Sequence, residues 1–274
     1  MLLTRKGVLK MIIFDKYKDG KSKVVTMSYD DGTIHDRRLV EIFNKYGIKG
    51  TFHLNSGFLG HDGRLTADEL KTLFAGHEVS LHMLTHPFPT KLPEEAMVYQ
   101  IMEDRKNLES ACGYIVKGMS YPYGDVSDDV VVKLKNLGVV YSRTTHVTHG
   151  FGLPTDFMHW NGTCHHHDAI ADTKRFIEFL GRENHHQLLY IWGHSFEFDR
   201  ENNWEDIEEV CKMIGGRDEI WYATNIEIYN YMTAVRRLEI SADMKMVHNP
   251  SAVPVWISWD DETVKIDAGA TVTK

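Results

Sequence analysis

The sequence predicts an α/β fold, a closed barrel of seven or eight β-α units with a small β appendage behind it. Three observations carry this reading. Short β-rich apolar runs alternate with helical patterns from residue 24 to about residue 237, which implies parallel strands joined by crossover helices. Seven or eight such units on one chain suit a barrel better than an open sheet. After residue 237 the helical pattern stops and only short strand-like segments remain.

The first clear strand is VVTMSY (24–29). A helix around 34–46 follows, where Ile34, Leu39, Ile42 and Phe43 can share one face. GTFHLN (50–55) leads to a helix near 66–75, and EVSLH (78–82) to a longer one within 93–111. In that helix Val98, Ile101, Met102 and Leu108 fall on one side. Next come KGMSYP (117–122), a helix at 127–137, VVYSRT (139–144) and a strand near 160–164. The last units are a helix at 168–180, LLYIWG (188–193), a helix at 204–214, EIWYAT (219–224) and a helix at 225–237. Ile220, Trp221 and Tyr222 are expected in the barrel core. The acid-rich start at Glu205, Asp206, Glu208 and Glu209 favours the helix dipole.

Residues 1–237 are expected to form the barrel and 238–274 the appendage. In the latter, RLEIS, KMVHN, PVWISWD and TVKIDAG read as strands, with turns at Asn249-Pro250 and Asp260-Asp261. Trp256 and Trp259 alternate there; packing against the barrel is the expected use, and stacking on a sugar the alternative.

Composition bounds the function. The chain has 274 residues, 42% apolar and 26% charged, an ordinary globular mix that excludes disorder and fibrous repeats. Its 31 Lys and Arg against 39 Asp and Glu give a net charge of −8. That argues against a general nucleic-acid binder, which needs a basic face. No run of about 18 apolar residues offers a membrane span. The N-terminal apolar stretches are broken by Arg5, Lys6 and Lys10, and no small-residue cleavage site follows. No signal peptide is read, so the cytoplasm is the default compartment. Cys112, Cys164 and Cys211 are too few and too far apart for a disulfide framework or a zinc knuckle.

Four features suggest chemistry, each at a strand end. Asp30-Asp31-Gly32 closes the first strand; two adjacent acids can point to different neighbours, one to a metal and one to a proton. A solvated turn is the alternative. His82 and His86 lie four apart, so a helical turn would bring both imidazoles to one ion. With a strand-end acid they make two His and one carboxylate, a common catalytic zinc set with open positions. Ser120-Tyr121-Pro122-Tyr123-Gly124 is a turn whose backbone N–H can face an oxyanion. His194 ends LLYIWGH. In a parallel barrel the C-terminal strand ends share one face, where active sites are built.

These residues resemble the polysaccharide deacetylases of the NodB-homology type, carbohydrate esterase family four. The first motif, usually Thr-Phe-Asp-Asp-Gly, appears as Ser28-Tyr29-Asp30-Asp31-Gly32. The second, His-Ser/Thr-x-x-His, runs from His82 to His86, with Met83 where Ser or Thr is usual. The third, Arg-x-Pro-Tyr/Phe, appears as Ser120 to Tyr123 with Ser120 in the Arg position, and the late His motif matches at His194. The resemblance covers roughly residues 20–237.

It implies a distorted (β/α)7-8 barrel and a divalent metal, usually Zn2+ and sometimes Co2+, held by Asp31, His82 and His86. Asp30 becomes the general base, His194 the general acid, and the Tyr123 backbone N–H an oxyanion donor. The implied partner is an acetylated sugar or oligosaccharide. Ser120 cannot supply the guanidinium that normally holds the base; Arg143 is one candidate to replace it, and an ordinary strand-end cation is the alternative reading of that residue. The fourth motif has only a loose echo at Asp156 to Trp160.

The segment 144–168 is rich in histidine: His146, His149, His159, His165, His166 and His167, beside Trp160 and Cys164. A substrate-binding wall, a second metal and a solvated loop are its three readings. From it, Trp160 and His165 or His166 are candidates near the site, and Asn55 could reach substrate or act as a structural cap. Hydrolysis of a small amide or imide is the alternative activity, and a catalytically silent sugar-binding barrel the alternative class.

Overall fold

The computed structural model describes residues 11–178 and 186–274. The reading of the first ten residues and the end of the helix expected at 168–180 lie outside them. β1 (Ile12–Ile13) precedes β2 (Lys23–Asp30), and α1 (Asp36–Lys45), β3 (Gly50–Leu54), α2 (Ala67–Leu73), β4 (Glu78–Leu81) and α3 (Glu94–Cys112) follow in β-α order. Then come β5 (Gly118–Ser120), α4 (Asp128–Asn136), β6 (Tyr141–Val147), β7 (Trp160–Gly162), β8 (Cys164–His165) and α5 (Ala169–Glu178). β9 (Gln187–Gly193), α6 (Ser195–Glu201), α7 (Trp204–Ile214), β10 (Ile220–Tyr222) and α8 (Asn225–Arg236) complete the series.

The parallel strands close nearly into a barrel. Along the sheet they run β7-β6-β5-β4-β3-β2-β9-β8, with β10 on the start of β2. β7 and β8 are two pieces of one passage interrupted at Thr163, one paired with β6 and the other with β9, so the sheet returns to its beginning. The predicted α/β barrel is therefore present. α6 was not expected; it starts directly after His194.

β2 is buried along its whole length because it has neighbours on both edges and layers on both faces. Val25, Met27 and Tyr29 pack with Leu39 and Phe43 of α1 in the outer core. The alternate residues Thr26, Ser28 and Asp30 face a polar column inside the barrel. At its floor, Thr26 Oγ1 donates to Asn225 Oδ1, and Thr51 Oγ1 and Tyr141 Oη donate to Glu78. Above them His53 Nε2 lies 3.0 Å from Ser28 Oγ, which also accepts from Arg143 Nε.

Two helix faces differ from expectation. α1 buries Leu39, Ile42 and Phe43, but Ile34 precedes its first turn and is exposed. α3 buries Met97, Ile101, Asp104, Leu108 and Cys112, while Met102 faces solvent. A polar residue, Asp104, occupies the buried stripe, so the apolar pattern alone misplaced the face.

The C-terminal residues form β11 (Glu239–Ile240), β12 (Met246–His248), β13 (Val255–Trp259), β14 (Glu262–Ile266) and β15 (Thr271–Thr273). They make two three-stranded antiparallel sheets, β11-β12-β15 and β1-β13-β14. Trp259 is fully buried in a cluster with Val255, Ile257, Tyr231 of α8 and barrel aromatics, whereas Trp256 is half-buried under Lys265. Among the described residues, no helix is long and apolar enough to cross a membrane.

Candidate active site

The strand ends of β2, β4, β5 and β9 bring Asp30, Asp31, His82, Ser120 and His194 to one rim of the barrel, and Arg143, within β6 rather than at its end, lies beside Ser120. Asp30 is the last residue of β2, and Asp31 leaves it with φ 84°. This turn sends the two carboxylates to different neighbours. Asp31 Oδ1 lies 3.7 Å from Nε2 of His82 and 3.7 Å from Nε2 of His86.

The two imidazoles do not meet through a helical turn, as their spacing suggested. Residues 82–86 form an irregular loop with Met83 at φ 62° and His86 at φ 56°, and the rings still approach to 4.6 Å. The cause lies in the neighbouring chain. Asn55 Nδ2 donates to the carbonyls of His82 and Met83 at 2.6 and 2.8 Å, and Asp104 accepts from the His82 amide at 3.2 Å. Gly57 donates its amide to Leu84 O at 2.9 Å, and a Cβ at 57 would lie 2.5 Å from that oxygen. Side chains that elsewhere would form a cap hold this loop open.

Asp31, His82 and His86 each offer one ligand atom, and these atoms all lie within 4.8 Å of one another. Bonds of about 2.0–2.1 Å around a tetrahedral ion place ligand atoms about 3.4 Å apart. The two 3.7 Å separations are close to that edge, so a divalent cation fits with slight inward movement. The imidazole tautomer also fits. His82 Nδ1–H donates to Ser120 O at 2.9 Å, which leaves the Nε2 lone pair facing Asp31.

Asp30 is buried and paired. Arg143 Nη2 donates to its Oδ2, and Ser120 Oγ donates to Oδ1 at 3.1 Å. Arg143 is itself fully buried: Nη1 donates to Thr144 O at 3.0 Å, and the guanidinium sits 4.4 Å over the Trp192 ring. Burial pushes the Asp30 pKa up, but Arg143, with His82 and His53, outweighs it and holds the carboxyl well below the usual range. Asp30 therefore stays ionised, with Oδ2 3.8 Å from His82 Nε2.

His194 caps the start of α6. Its Nδ1 lies 3.3 Å from Glu197 Oε2. Burial opposes the charged ring, but Glu197, with Asp30 and Asp31, raises its pKa overall. Tyr123 adopts φ 59° in the turn after β5; its ring stacks on Phe88 at 3.9 Å and meets the edge of His86 at 4.4 Å.

Three expectations change. Trp160 cannot touch substrate, because it is fully buried against Tyr141, Phe157 and Tyr190. Asn55 does not reach substrate either; it is buried and spent on the His82–Met83 carbonyls. The His-rich segment is not one wall. His149 pairs with Asp172 at 2.7 Å and His159 with Asp156 at 3.3 Å, while His165 turns toward Trp192, 4.7 Å away, and Glu197. Sequence reasoning missed Glu197 and the Ser28–His53 pair; a His-x-x-Glu spacing at a strand-to-helix junction was the available signal for Glu197.

Residues 17–142 match the family model for polysaccharide deacetylase. Chitin deacetylase 1 of Cryptococcus neoformans is 28% identical over 126 residues, 45% of this chain and 26% of that protein. The peptidoglycan-N-acetylmuramic acid deacetylase PdaC of Bacillus subtilis is 27% identical over 120 residues, 43% of this chain and 25% of that protein. The chain thus spans about a quarter of the length of these relatives. A solved Mycobacterium smegmatis structure assigned to the polysaccharide deacetylases superposes with a TM-score of 0.60 at 15% identity, covering 82% of this chain and 94% of that one. That likeness shows the shared barrel. By the motifs, the family-model match and these relatives, residues 17–142 carry the NodB homology of the polysaccharide deacetylases.

Proposed function

We propose that this protein is a divalent-metal-dependent hydrolase that removes acetyl groups from N- or O-acetylated carbohydrate, with the catalytic barrel running from β2 to residue 237 and 238–274, joined by β1, as an extension bracing it. The observation that carries the reading is the convergence of Asp31, His82 and His86 beside a buried, ionised Asp30. Zinc suits the two imidazoles and one carboxylate, with Co2+ as a substitute. When bound, the cation supplies Lewis acidity toward a water and an acyl carbonyl.

The protein's own groups supply the rest. Asp30, fixed by Arg143 and Ser120, accepts the proton that the attacking water releases. The Tyr123 backbone N–H, aimed by its left-handed turn, stabilises negative charge on the carbonyl oxygen. His194, held by Glu197, which raises its pKa, donates to the leaving amine or alcohol. His165 orients Glu197 from the far side. The relatives that act on chitin and peptidoglycan favour an acetylated amino sugar as substrate.

Metal content together with acetate release over a panel of acetylated glycans and amino sugars tests the reading. His82→Ala and His86→Ala should lose metal at the Asp31 site, and Asp30→Asn should keep it while turnover falls at least 100-fold. Acetate release unchanged in Asp30→Asn removes that residue as base. Activity confined to small amides moves the substrate class. Metal-loaded protein that binds sugars and releases nothing identifies a silent barrel.

A further inference from the structure

A second group of ligand-type side chains converges on one oxygen on the other side of His194. Glu197, in the first turn of α6, places Oε2 3.3 Å from Nε2 of His165 and 3.4 Å from Nε2 of His166. His167 belongs to the same group, and one ligand atom from each of the four lies within 4.8 Å of the others. The three histidines are consecutive at the junction of β8 and α5, with ring centroids 4.2–4.6 Å apart.

Two facts distinguish this group from a solvated histidine loop. His166 is only 4% exposed, and neither of its ring nitrogens makes a hydrogen bond. Its ring lies between Tyr29 and Phe198, at 5.9 and 4.2 Å, and against Gly193, where a Cβ would come within 2.0 Å of Nδ1. A buried polar group left unsatisfied costs about 1–3 kcal/mol. The second fact is the spacing. The N···O separations of 3.3 and 3.4 Å exceed an ordinary N–H···O bond and match the edge of about 3.4 Å around a tetrahedral first-row ion.

We propose that His165, His166 and Glu197, with His167 as fourth donor, form a second divalent-cation site, of a donor set that suits zinc. Two contacts oppose it: the His167 amide points at His165 Nδ1 from 3.5 Å, beyond normal hydrogen-bond length, and must relax for Nε2 to ligate, and His167 Nε2 lies 3.0 Å from Glu201 Oε2, a pairing it must leave to act as fourth donor. Glu197 also meets His194 Nδ1, so a cation here fixes the orientation of that ring. The site shares Glu197 and His165 with the hydrolase reading, but bound zinc is measured independently of turnover, so the two can fail separately.

Zinc bound per chain, measured after equilibration with Zn2+ and desalting, tests it on the full chain. Asp31→Ala/His86→Ala disables the first site and should retain one equivalent. Adding His165→Ala/His166→Ala should reduce this below a tenth. Failure of the first variant to retain zinc overturns the proposal. Because His166 is buried, Glu197→Gln in the same background serves as a shape-conserving control. It should weaken zinc binding at least 10-fold while the zinc-free protein keeps its folded circular dichroism spectrum and a cooperative melt; unaltered zinc affinity also overturns the proposal.

Discussion

Asp30 is an ionised side chain in the protein interior, and the guanidinium of Arg143 makes that tenable. Removing one partner of a buried pair leaves an uncompensated charge, at a cost of about 3–5 kcal/mol. Arg143→Met should therefore lower the melting temperature strongly, and Arg143→Met/Asp30→Asn should recover most of that loss. Equal destabilisation of the single and double variants, read by denaturant titration, would show that Arg143 acts through packing on Trp192 instead. Asn55 poses a different case, since its two donated hydrogen bonds shape the backbone that carries His82. Asn55→Ala strands two carbonyls and should cost about 1–3 kcal/mol. Metal affinity at the first site should fall about 10–100-fold, as for other groups that orient ligands. Calorimetric titration with zinc checks this, and an unchanged affinity would leave Asn55 with no orienting role.

Among the elements, the β13–β14 hairpin shows how local sequence and required geometry can conflict. Trp259 pairs with Glu262, so the loop has two residues, Asp260 and Asp261, at φ 52° and 66°. Both left-handed positions match a type I′ turn, for which Asn-Gly is preferred. Two adjacent acids tolerate it at a cost. Asp260 Oδ1 accepts from the Met11 amide at 3.0 Å, a contact that an Asn oxygen can keep; replacing the pair with Asn-Gly should therefore stabilise the protein by about 1 kcal/mol, and a lower melting temperature would show that the carboxylate charge itself is needed. The turn position was legible because Asp is a turn former. The His82–His86 loop was not, since its shape comes from Asn55, Gly57 and Asp104 on other elements.

At the level of the whole molecule, the barrel floor carries a buried acid. Glu78 accepts from Thr51 and Tyr141 and from the Ile226 amide at the start of α8, tying β4, β3, β6 and α8 together. Burial raises its pKa to about 7, with these hydrogen bonds opposing. The sign follows from linkage: a raised folded pKa gives stability that is full below the unfolded value, and it is lost as pH rises through 7. Asp36, raised by burial to about 8, acts in the same direction. Unfolding free energy of metal-free protein should fall by about 3 kcal/mol from this one group between acidic and mildly alkaline pH. Glu78→Gln can keep the same contacts with Nε2 facing Tyr141 Oη, and should flatten that slope. An identical slope in the variant would assign the pH dependence to other groups.

The amino-acid sequence by itself determined the β-α alternation, the strand ends on which Asp30, Asp31, His82 and His194 stand, and thus the rim that gathers them. Those are consequences of periods of 2 and 3.6 residues and of the parallel arrangement they force. Only the tertiary structure decided which side chains face the rim. Trp160 and Asn55 are buried, Arg143 reaches Asp30 across 113 residues of chain, and Glu197 meets His165 of β8 and His194, the residue after β9. Burial and cross-barrel pairing arise when β7 and β8 close the sheet, a non-local event that leaves no periodic trace in the chain.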